Sequence, residues 1–210
     1  MEQKLIITIG RQYGSGGRSI GKKLADALGM TFYNREIIDL AAEKSGMSQE
    51  AFEKVDETAA SSLLYSIATG AYMFGNYVSP QGDLPLNDKL FIVQSEIIKS
   101  IASKESCVIV GRCADYILKD RKDVVNIFIH ASKEARKERA INEYNIEPNK
   151  VEGYLNKIDK KRSTYYNYYT GEKWGNSCNY HLCLDSSLLG EDGCVRIIEE
   201  FIKERAKANQ

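Results

Sequence analysis

The sequence predicts an α/β fold with a mainly parallel sheet that is covered by helices on both faces. Two observations predict it. Short apolar runs rich in β-branched residues recur along the 210-residue chain, and segments with apolar residues three or four positions apart lie between them. Runs of the first kind favour strands and segments of the second kind favour helices. Strands joined through helices form βαβ units, which place the strands parallel in one sheet.

Five runs have the composition of strands. They are residues 4–9, Thr31–Tyr33, Cys107–Val110, Val124–His130 and residues 180–184. The first is followed by Gly10, which we take as its end. Parallel sheets bind ligands beyond the carboxyl ends of their strands, so the residues that follow these runs are candidate site residues.

The segments between these runs have helical periodicity. In Gly17–Leu28 the apolar residues Ile20, Leu24 and Leu28 stand four apart, and Gly29 ends the segment. The remaining helices are predicted over residues 35–44, 90–103, 132–144 with Ser132 as its N-cap, and 193–207.

Two stretches interrupt this alternation. Residues 55–88 contain four acids and no Lys or Arg, which favours an insertion over a site or against a partner. Residues 147–175 form a charged, helix-favouring arm that ends in YYNYYTGEKWG. We therefore expect a single domain. Its core would comprise residues 1–54, 89–132 and 178–210, with the insertion at about 55–88 and an arm at about 133–177.

The charge balance excludes a broad nucleic-acid surface. The chain has 29 Lys+Arg and 29 Asp+Glu, whereas such a surface needs an excess of cations to neutralise phosphates. The balance is uneven along the chain. Residues 1–35 carry six Lys/Arg against two acids, and residues 133–162 carry nine against six. These cationic segments favour a local site for a small anion.

The sequence also predicts a cytoplasmic protein without a membrane partner. No apolar run approaches the ~18 residues that span a bilayer, and the short apolar run near the start lacks the features of a signal peptide. The five cysteines form no C-x-x-C pair. Their odd number favours free thiols over a disulfide framework or a zinc site.

The strongest local signal is the glycine-rich segment GRQYGSGGRS at residues 10–19, between the first strand and the first helix. Successive backbone N–H groups without Cβ atoms can surround a phosphate, and the helix N-terminus adds partial positive charge. The candidate phosphate ligands are Gly14, Ser15, Gly16, Gly17, Arg18 and Ser19. The alternative is a flexible turn without a ligand.

This segment departs from the P-loop pattern G-x-x-x-x-G-K-[ST]. With Gly16 as the second glycine, Arg11 stands at the first glycine position and Gly17 at the lysine position. Arg18 is a candidate for the missing cation, although its side chain emerges roughly 100° further round the helix. Ser15 or Ser19 would offer a hydroxyl for Mg²⁺. A dinucleotide fingerprint also fails, because Ser19 stands where glycine or alanine is needed.

Further motifs follow in order: ITIGRQYGSGGRSIGKKLADALG, FYNREII, VIVGRCADYIL, NIFIHASKEARKERA and DKKRSTYYNYYTGEKWG with YHLCLDSSLLG. Together they resemble the cytidylate kinase-like family, P-loop kinases related to bacterial cytidylate kinases, over nearly the whole chain. The resemblance implies a P-loop kinase fold with a five-stranded parallel sheet, a helical insertion that binds a nucleoside monophosphate, and a lid. It also implies the use of ATP and Mg²⁺.

Arg136 and Arg139 lie one helical turn apart and share a helix face. From the spacing alone they are equally compatible with a solvated surface, because lysines and glutamates crowd the same turn. The resemblance implies that they are lid arginines which, with Arg18, neutralise the transferred phosphoryl group.

Four residues are candidates for holding the acceptor. Arg112 follows a predicted strand and a glycine, at the binding edge of the sheet, although it could instead start a helix. Asp159 and Arg162 have helical i,i+3 spacing, which also suits an exposed ion pair. The resemblance assigns acceptor contacts to all three and favours Arg35 as another phosphate ligand. Cys113 and Asn34 stand where the family usually has aspartate, so the acceptor base stays open.

The tyrosines near residue 170 and Trp174 would stack a base or pack as an ordinary helix end. We expect phosphoryl transfer from ATP to a small acceptor, with a nucleoside monophosphate such as CMP or dCMP favoured. Two alternatives remain: a silent nucleotide-binding regulatory or partner-binding protein, and a kinase for a non-nucleotide molecule. The insertion is also compatible with a homodimer interface.

Overall fold

The sheet contains five parallel strands, which confirms the predicted fold class. The computed structural model describes residues 4–45 and 86–208. The strands are β1 (Ile6–Arg11), β2 (Thr31–Tyr33), β3 (Cys107–Val110), β4 (Val124–His130) and β5 (Leu182–Asp185). Their order across the sheet is β2-β3-β1-β4-β5, and all neighbouring pairs are parallel. β1 therefore lies at the centre, and its carboxyl end faces the middle of the binding edge.

Helices connect the strands and cover the sheet. They are α1 (Gly17–Leu28), α2 (Glu36–Ser45), α3 (Leu86–Lys104), α4 (Ala114–Ile117), α5 (Lys133–Asn142), α6 (Val151–Thr170) and α7 (Ser186–Ala208). The predicted N-cap of α5 is confirmed, because the Ser132 hydroxyl accepts a hydrogen bond from the Ala135 amide at 3.3 Å. No helix in these two ranges is long and apolar enough to cross a bilayer.

The central strand continues further than the sequence indicates. The prediction ended it at Ile9, but Gly10 and Arg11 still pair with Phe128 and Ile129 of β4. Glycine does not end the strand because the neighbouring strand continues to supply partners. As a consequence, Arg11 is a strand residue at the binding edge and not a loop residue.

Other boundaries also differ from the prediction. The last helix begins at Ser186, seven residues before the predicted 193, and is kinked at Gly190, whose φ is 66° and ψ 173°. The short helix α4 was not predicted, since four residues are too few to show a period. Most of the predicted insertion, residues 55–85, lies outside the described residues, while α3 begins at Leu86.

Two apolar layers hold the sheet between its helices. Alternate residues of β1 point to opposite faces, so Ile6 packs with α2 and α3 while Ile7 and Ile9 pack with α1 and α7. All three isoleucines are fully buried. Each contributes about 1.5–3 kcal/mol through removal of its side chain from water. This rigid centre fixes the position of the loop that follows β1.

Helices α5 and α6 form the arm. Ala140 of α5 packs with Val151 and Leu155 of α6 in a small separate core, and Tyr13 packs against the same core. Because Tyr13 belongs to the segment after β1, the arm rests directly on the glycine-rich loop.

Candidate functional site

The loop after β1 presents backbone donors at the start of α1. Gly14 and Gly16 have positive φ angles, 79° and 73°, which L-residues other than glycine rarely adopt. Gly16 is the N-cap of α1 and supplies no side-chain hydrogen bond to the first turn. The N–H groups at the start of the helix therefore remain available to an anion, and the helix dipole favours negative charge there.

The loop is held in this shape by its own hydrogen bonds. The Ser15 hydroxyl donates to the Gln12 carbonyl at 2.9 Å, and the Ser15 carbonyl accepts from the Ser186 hydroxyl at 2.7 Å. A Cβ placed on Gly14 would lie 2.7 Å from the Arg136 carbonyl oxygen, so the arm approaches the loop closely at that point. These contacts hold the loop in its curved shape.

Three charged side chains of the arm contact the junction between β1 and the loop. Arg136 Nε donates to the Tyr13 carbonyl at 2.7 Å, and Arg136 Nη2 forms an ion pair with Asp159. The other Asp159 oxygen accepts from the Tyr13 amide at 2.8 Å. Arg162 Nη1 donates to the Arg11 carbonyl at 3.0 Å. These contacts bind the arm to the loop backbone, and we call Arg136, Asp159 and Arg162 the clamp.

A carboxylate from α7 lies beside the first turn of α1. The Ser19 hydroxyl donates to Glu191 Oε2 at 2.6 Å, and Arg139 Nη2 lies 3.2 Å from Glu191 Oε1. A Cβ on Gly16 would overlap Nη1 of Arg139. Arg139 therefore extends over the loop, and its charge is balanced by Glu191 and by Glu143. Sequence reasoning missed Glu191, which has no motif and stands 172 residues after Ser19.

Two cavities flank the loop. One, of about 280 Å³, lies between the loop, α5 and the start of α7, and it is lined by Gly14, Ala131, Arg139, Asn142, Ser186 and Ser187 among others. The other, of about 470 Å³, lies between the ends of β1 and β3 and helix α6. Among its described lining residues are six cations and a single acid, Asp115. The cations are Arg11, Arg35, Arg112, Lys157, Lys161 and Arg162. We call this the cationic cavity.

The turn after β3 aims Arg112 into the cationic cavity. Gly111, Arg112 and Cys113 have φ angles of 80°, 60° and 54°, so three consecutive residues adopt the left-handed conformation. Two of them carry side chains, and each such residue costs about 1–3 kcal/mol. Such strain is typical of sites where the chain places a functional side chain.

Asp115 forms the acidic part of the cavity floor. It is 8% exposed and accepts a hydrogen bond from the Tyr166 hydroxyl at 2.8 Å. Burial raises the pKa of this carboxyl above the ordinary aspartate value, and the hydrogen bond from Tyr166 only partly opposes that effect. Sequence reasoning missed Asp115. Its position in the sequence could have indicated it. The family usually has an aspartate at position 113, and Asp115 stands two residues after that position.

The comparisons with known proteins agree with the fold of the sheet and its helices. The model of the cytidylate kinase-like family matches residues 6–188. The chain belongs to this family. No curated protein matches the sequence.

Three solved structures are similar to this chain along nearly its whole length. An uncharacterized protein from Eubacterium ventriosum has a TM-score of 0.70 and 27% identity, with 95% of this chain and 99% of that chain covered. The shikimate kinase from Acinetobacter baumannii in complex with shikimate has a TM-score of 0.53 and 13% identity, with 97% and 96% covered. The shikimate kinase from Bacteroides thetaiotaomicron has a TM-score of 0.51 and 12% identity, with 95% and 98% covered. The last two likenesses concern the fold.

Within this kinase-like fold, the residues predicted as acceptor ligands occupy two places. Arg35, Arg112 and Arg162 all line the cationic cavity, with Arg35 exposed at its rim. Asp159 does not line the cavity and holds the Tyr13 amide instead. Arg162 does both, since its guanidinium also donates to the Arg11 carbonyl.

The predicted catalytic arginines are also divided. Arg139 reaches over Gly16 of the loop, whereas the Arg136 guanidinium is engaged in the clamp. Arg18 is exposed and is not among the residues that line either cavity.

The aromatic residues near the end of α6 lie in two places. Tyr165, Tyr166 and Trp174 line the cationic cavity. Tyr169 instead stacks on Phe91 of α3, with ring centroids 4.1 Å apart, and so fixes the arm to the body of the domain. The arm side of the cavity therefore combines aromatic residues with Lys157, Lys161 and Arg162, and the other three cations come from the sheet side.

Proposed function

We propose that the protein transfers the γ-phosphoryl group of ATP, bound with Mg²⁺, to a small anionic acceptor, for which a nucleoside monophosphate such as CMP or dCMP is the leading candidate. The observation that carries the proposal is the pair of cavities on the two sides of one glycine-rich loop. One cavity is lined by Gly14 of the loop and by Arg139, and the other contains six cations. Family membership supports a phosphotransferase.

The donor side fits a polyphosphate. Gly14 to Ser19 would hold the phosphates with backbone N–H groups, and Arg139 would neutralise their charge. In the described ranges, no cluster of three or more His, Cys, Asp or Glu could hold a metal by itself. This suits Mg²⁺, which keeps its waters and arrives with the phosphates. Ser19 and Glu191, whose side-chain oxygens meet beside the first turn of α1, would hold the ion there. When bound, Mg²⁺ neutralises charge on the transferred group.

The acceptor side fits an anion that carries a ring. Arg35, Arg112 and Arg162 would hold the acceptor phosphate, and Tyr165 with Trp174 would face the ring. The volume of about 470 Å³ lies in the range of small-molecule sites. The buried carboxylate of Asp115 accepts hydrogen bonds, so it favours an acceptor whose far end carries an amino group.

The transfer requires no general base from the protein. An oxygen of the acceptor phosphate forms a bond to the γ-phosphorus, and the bond from that phosphorus to the β–γ bridging oxygen breaks. ADP leaves with the electron pair, and any proton on the attacking oxygen passes to solvent. The residues of the chain bind and orient the two substrates. They also exclude water, which limits hydrolysis of ATP.

The test is formation of ADP from ATP over a panel of CMP, dCMP, UMP, AMP and simple alcohols. We expect turnover with an amino-bearing monophosphate above the rate without acceptor. Arg112→Ala should raise the acceptor KM at least tenfold. The exposed control Lys203→Ala on α7 should leave it unchanged. If the chain binds ATP but forms no ADP above the acceptor-free rate with any acceptor in the panel, the proposal is overturned.

A second candidate is a nucleotide-binding regulatory or partner-binding protein that does not catalyse transfer. Two observations favour it: glycine stands at the lysine position of the loop, and the clamp engages Arg136. ATP binding without turnover, measured by calorimetry beside the same panel, would select this function.

A further inference from the structure

We propose that Arg11 supplies the phosphate-binding cation that the loop lacks at position 17, so that cation and glycine have exchanged positions within the P-loop pattern. This rests on the proposed function, in which the loop binds ATP. The exchange is visible in the pattern: where a P-loop has glycine first and lysine seventh, this chain has Arg11 and Gly17.

The packing shows that side chains at positions 11 and 17 would occupy the same volume. A Cβ placed on Gly17 would lie 2.6 Å from Cβ of Arg11, 3.1 Å from its Cγ and 3.3 Å from Cβ of Ile129. The first of these distances is too short for any real contact. The stem of Arg11 therefore fills the volume that a side chain at position 17 would need. Glycine is required at 17 because arginine stands at 11.

The guanidinium of Arg11 extends from this point toward the end of β3. A Cβ on Gly111 would overlap its Nη1, so a second glycine makes room for the same side chain. Arg11 lines the cationic cavity together with Arg112 and Arg162. Its charge therefore lies between the loop that would hold ATP and the arginines that would hold the acceptor, which is where the transferred phosphoryl group passes.

The charges around Arg11 are unbalanced in a way that favours an anion. Within residues 4–45 and 86–208, no carboxylate forms an ion pair with its guanidinium, and Asp159, an acid whose charge acts on Arg11, is paired with Arg136. Burial lowers the pKa of Arg11, and the charges of Arg162 and Arg112 lower it further. A phosphate among these guanidiniums would relieve their repulsion and form charge-assisted hydrogen bonds.

The competing candidate for this role is Arg18, which is exposed and outside both cavities. Arg18 begins one residue after the lysine position, whereas the stem of Arg11 fills the space beside that position and its guanidinium lines the cationic cavity. The geometry therefore points to Arg11.

The test is an exchange experiment with ATP affinity as the main readout, measured by isothermal titration calorimetry. Arg11→Gln should weaken ATP binding about 10- to 100-fold, the size expected for loss of a charge-assisted interaction. Gly17→Lys should also weaken it and lower the unfolding temperature, because the lysine stem has no space. The double variant R11G/G17K should recover at least tenfold of the affinity lost in R11G. Lys203→Ala serves as the neutral control.

Three outcomes would overturn the assignment. The first is Arg11→Gln binding ATP within twofold of wild type. The second is a folded R11G/G17K that binds as weakly as R11G, with folding checked by circular dichroism. The third is a wild-type chain that binds no ATP, which would overturn the proposed function as well. A wild-type chain that binds ATP but phosphorylates no acceptor contradicts the proposed function alone, because the affinities still decide the role of Arg11.

Discussion

The clamp between the arm and the loop makes a quantitative prediction about Arg136. In Arg136→Met the side chain keeps an unbranched apolar stem but loses its donors, which removes the hydrogen bond to the Tyr13 carbonyl and leaves Asp159 without its main partner. The two charged side chains are only 11% and 17% exposed. A hydrogen bond to a charged group contributes about 1.5–3 kcal/mol, and breaking a buried pair costs about 3–5 kcal/mol.

These contributions overlap, and both side chains keep some contact with water. We therefore expect Arg136→Met to lower the free energy of unfolding by about 3 kcal/mol, or the unfolding temperature by about 6–12 °C for a chain of this size. Arg136→Lys should recover part of the loss, because one ammonium cannot serve both partners.

The assay is urea unfolding followed by circular dichroism, with Asp159→Asn and the double variant completing a cycle. A coupling energy of about 1–3 kcal/mol is expected between Arg136 and Asp159. The matched control is Lys150→Met, which removes an exposed ion pair with Glu147 and should change stability by less than about 0.5 kcal/mol. An Arg136→Met loss below about 1 kcal/mol, the ceiling of a surface pair, would refute the reasoning.

Three further predictions concern single positions. Gly14→Ala should destabilise the fold by at least about 1 kcal/mol more than Gly171→Ala. Both glycines have positive φ, but only Gly14 faces a backbone oxygen. Equal losses of stability in urea unfolding would contradict this. Burial raises the pKa of Asp115, so the native state binds more protons than the unfolded chain and stability falls as pH rises above the ordinary aspartate range. Asp115→Asn removes that fall, so its stability relative to wild type should increase as the pH rises above about 4, and a flat difference would be inconsistent with the buried carboxylate. The exposed Cys178 should react with a disulfide reagent much faster than the buried Cys107, whose pKa burial raises to about 12; similar rates before unfolding would show that the core is accessible.

Much of the fold follows from local patterns. The period of apolar residues in Gly17–Leu28 and the β-branched runs depend on near neighbours, and the structure confirms them. The glycine loop was recognisable for the same reason. The end of β1 was not, because its last two residues are strand only through pairing with β4.

The candidate site was less accessible to sequence reasoning wherever its geometry depends on distant elements. The i,i+3 spacing suggested that Asp159 pairs with Arg162, but those two groups lie 4.0 Å apart and the closer partner is Arg136, 23 residues earlier. Sequence reasoning noted Arg11 only as a departure from the P-loop pattern, which has glycine at that position. Its direction depends on the space left by Gly17 and Gly111, which only the packed structure reveals.

The left-handed turn at Gly111, Arg112 and Cys113 has a consequence for how this chain tolerates mutation. Glycine and asparagine adopt that conformation more readily than other residues, so both should raise folded abundance at position 112 relative to most substitutions. The same exchanges remove a guanidinium from the cationic cavity. A library scored separately for abundance and for turnover should therefore rank residues in opposite orders at this position. At position 112, selection for folded abundance and selection for turnover therefore favour different residues.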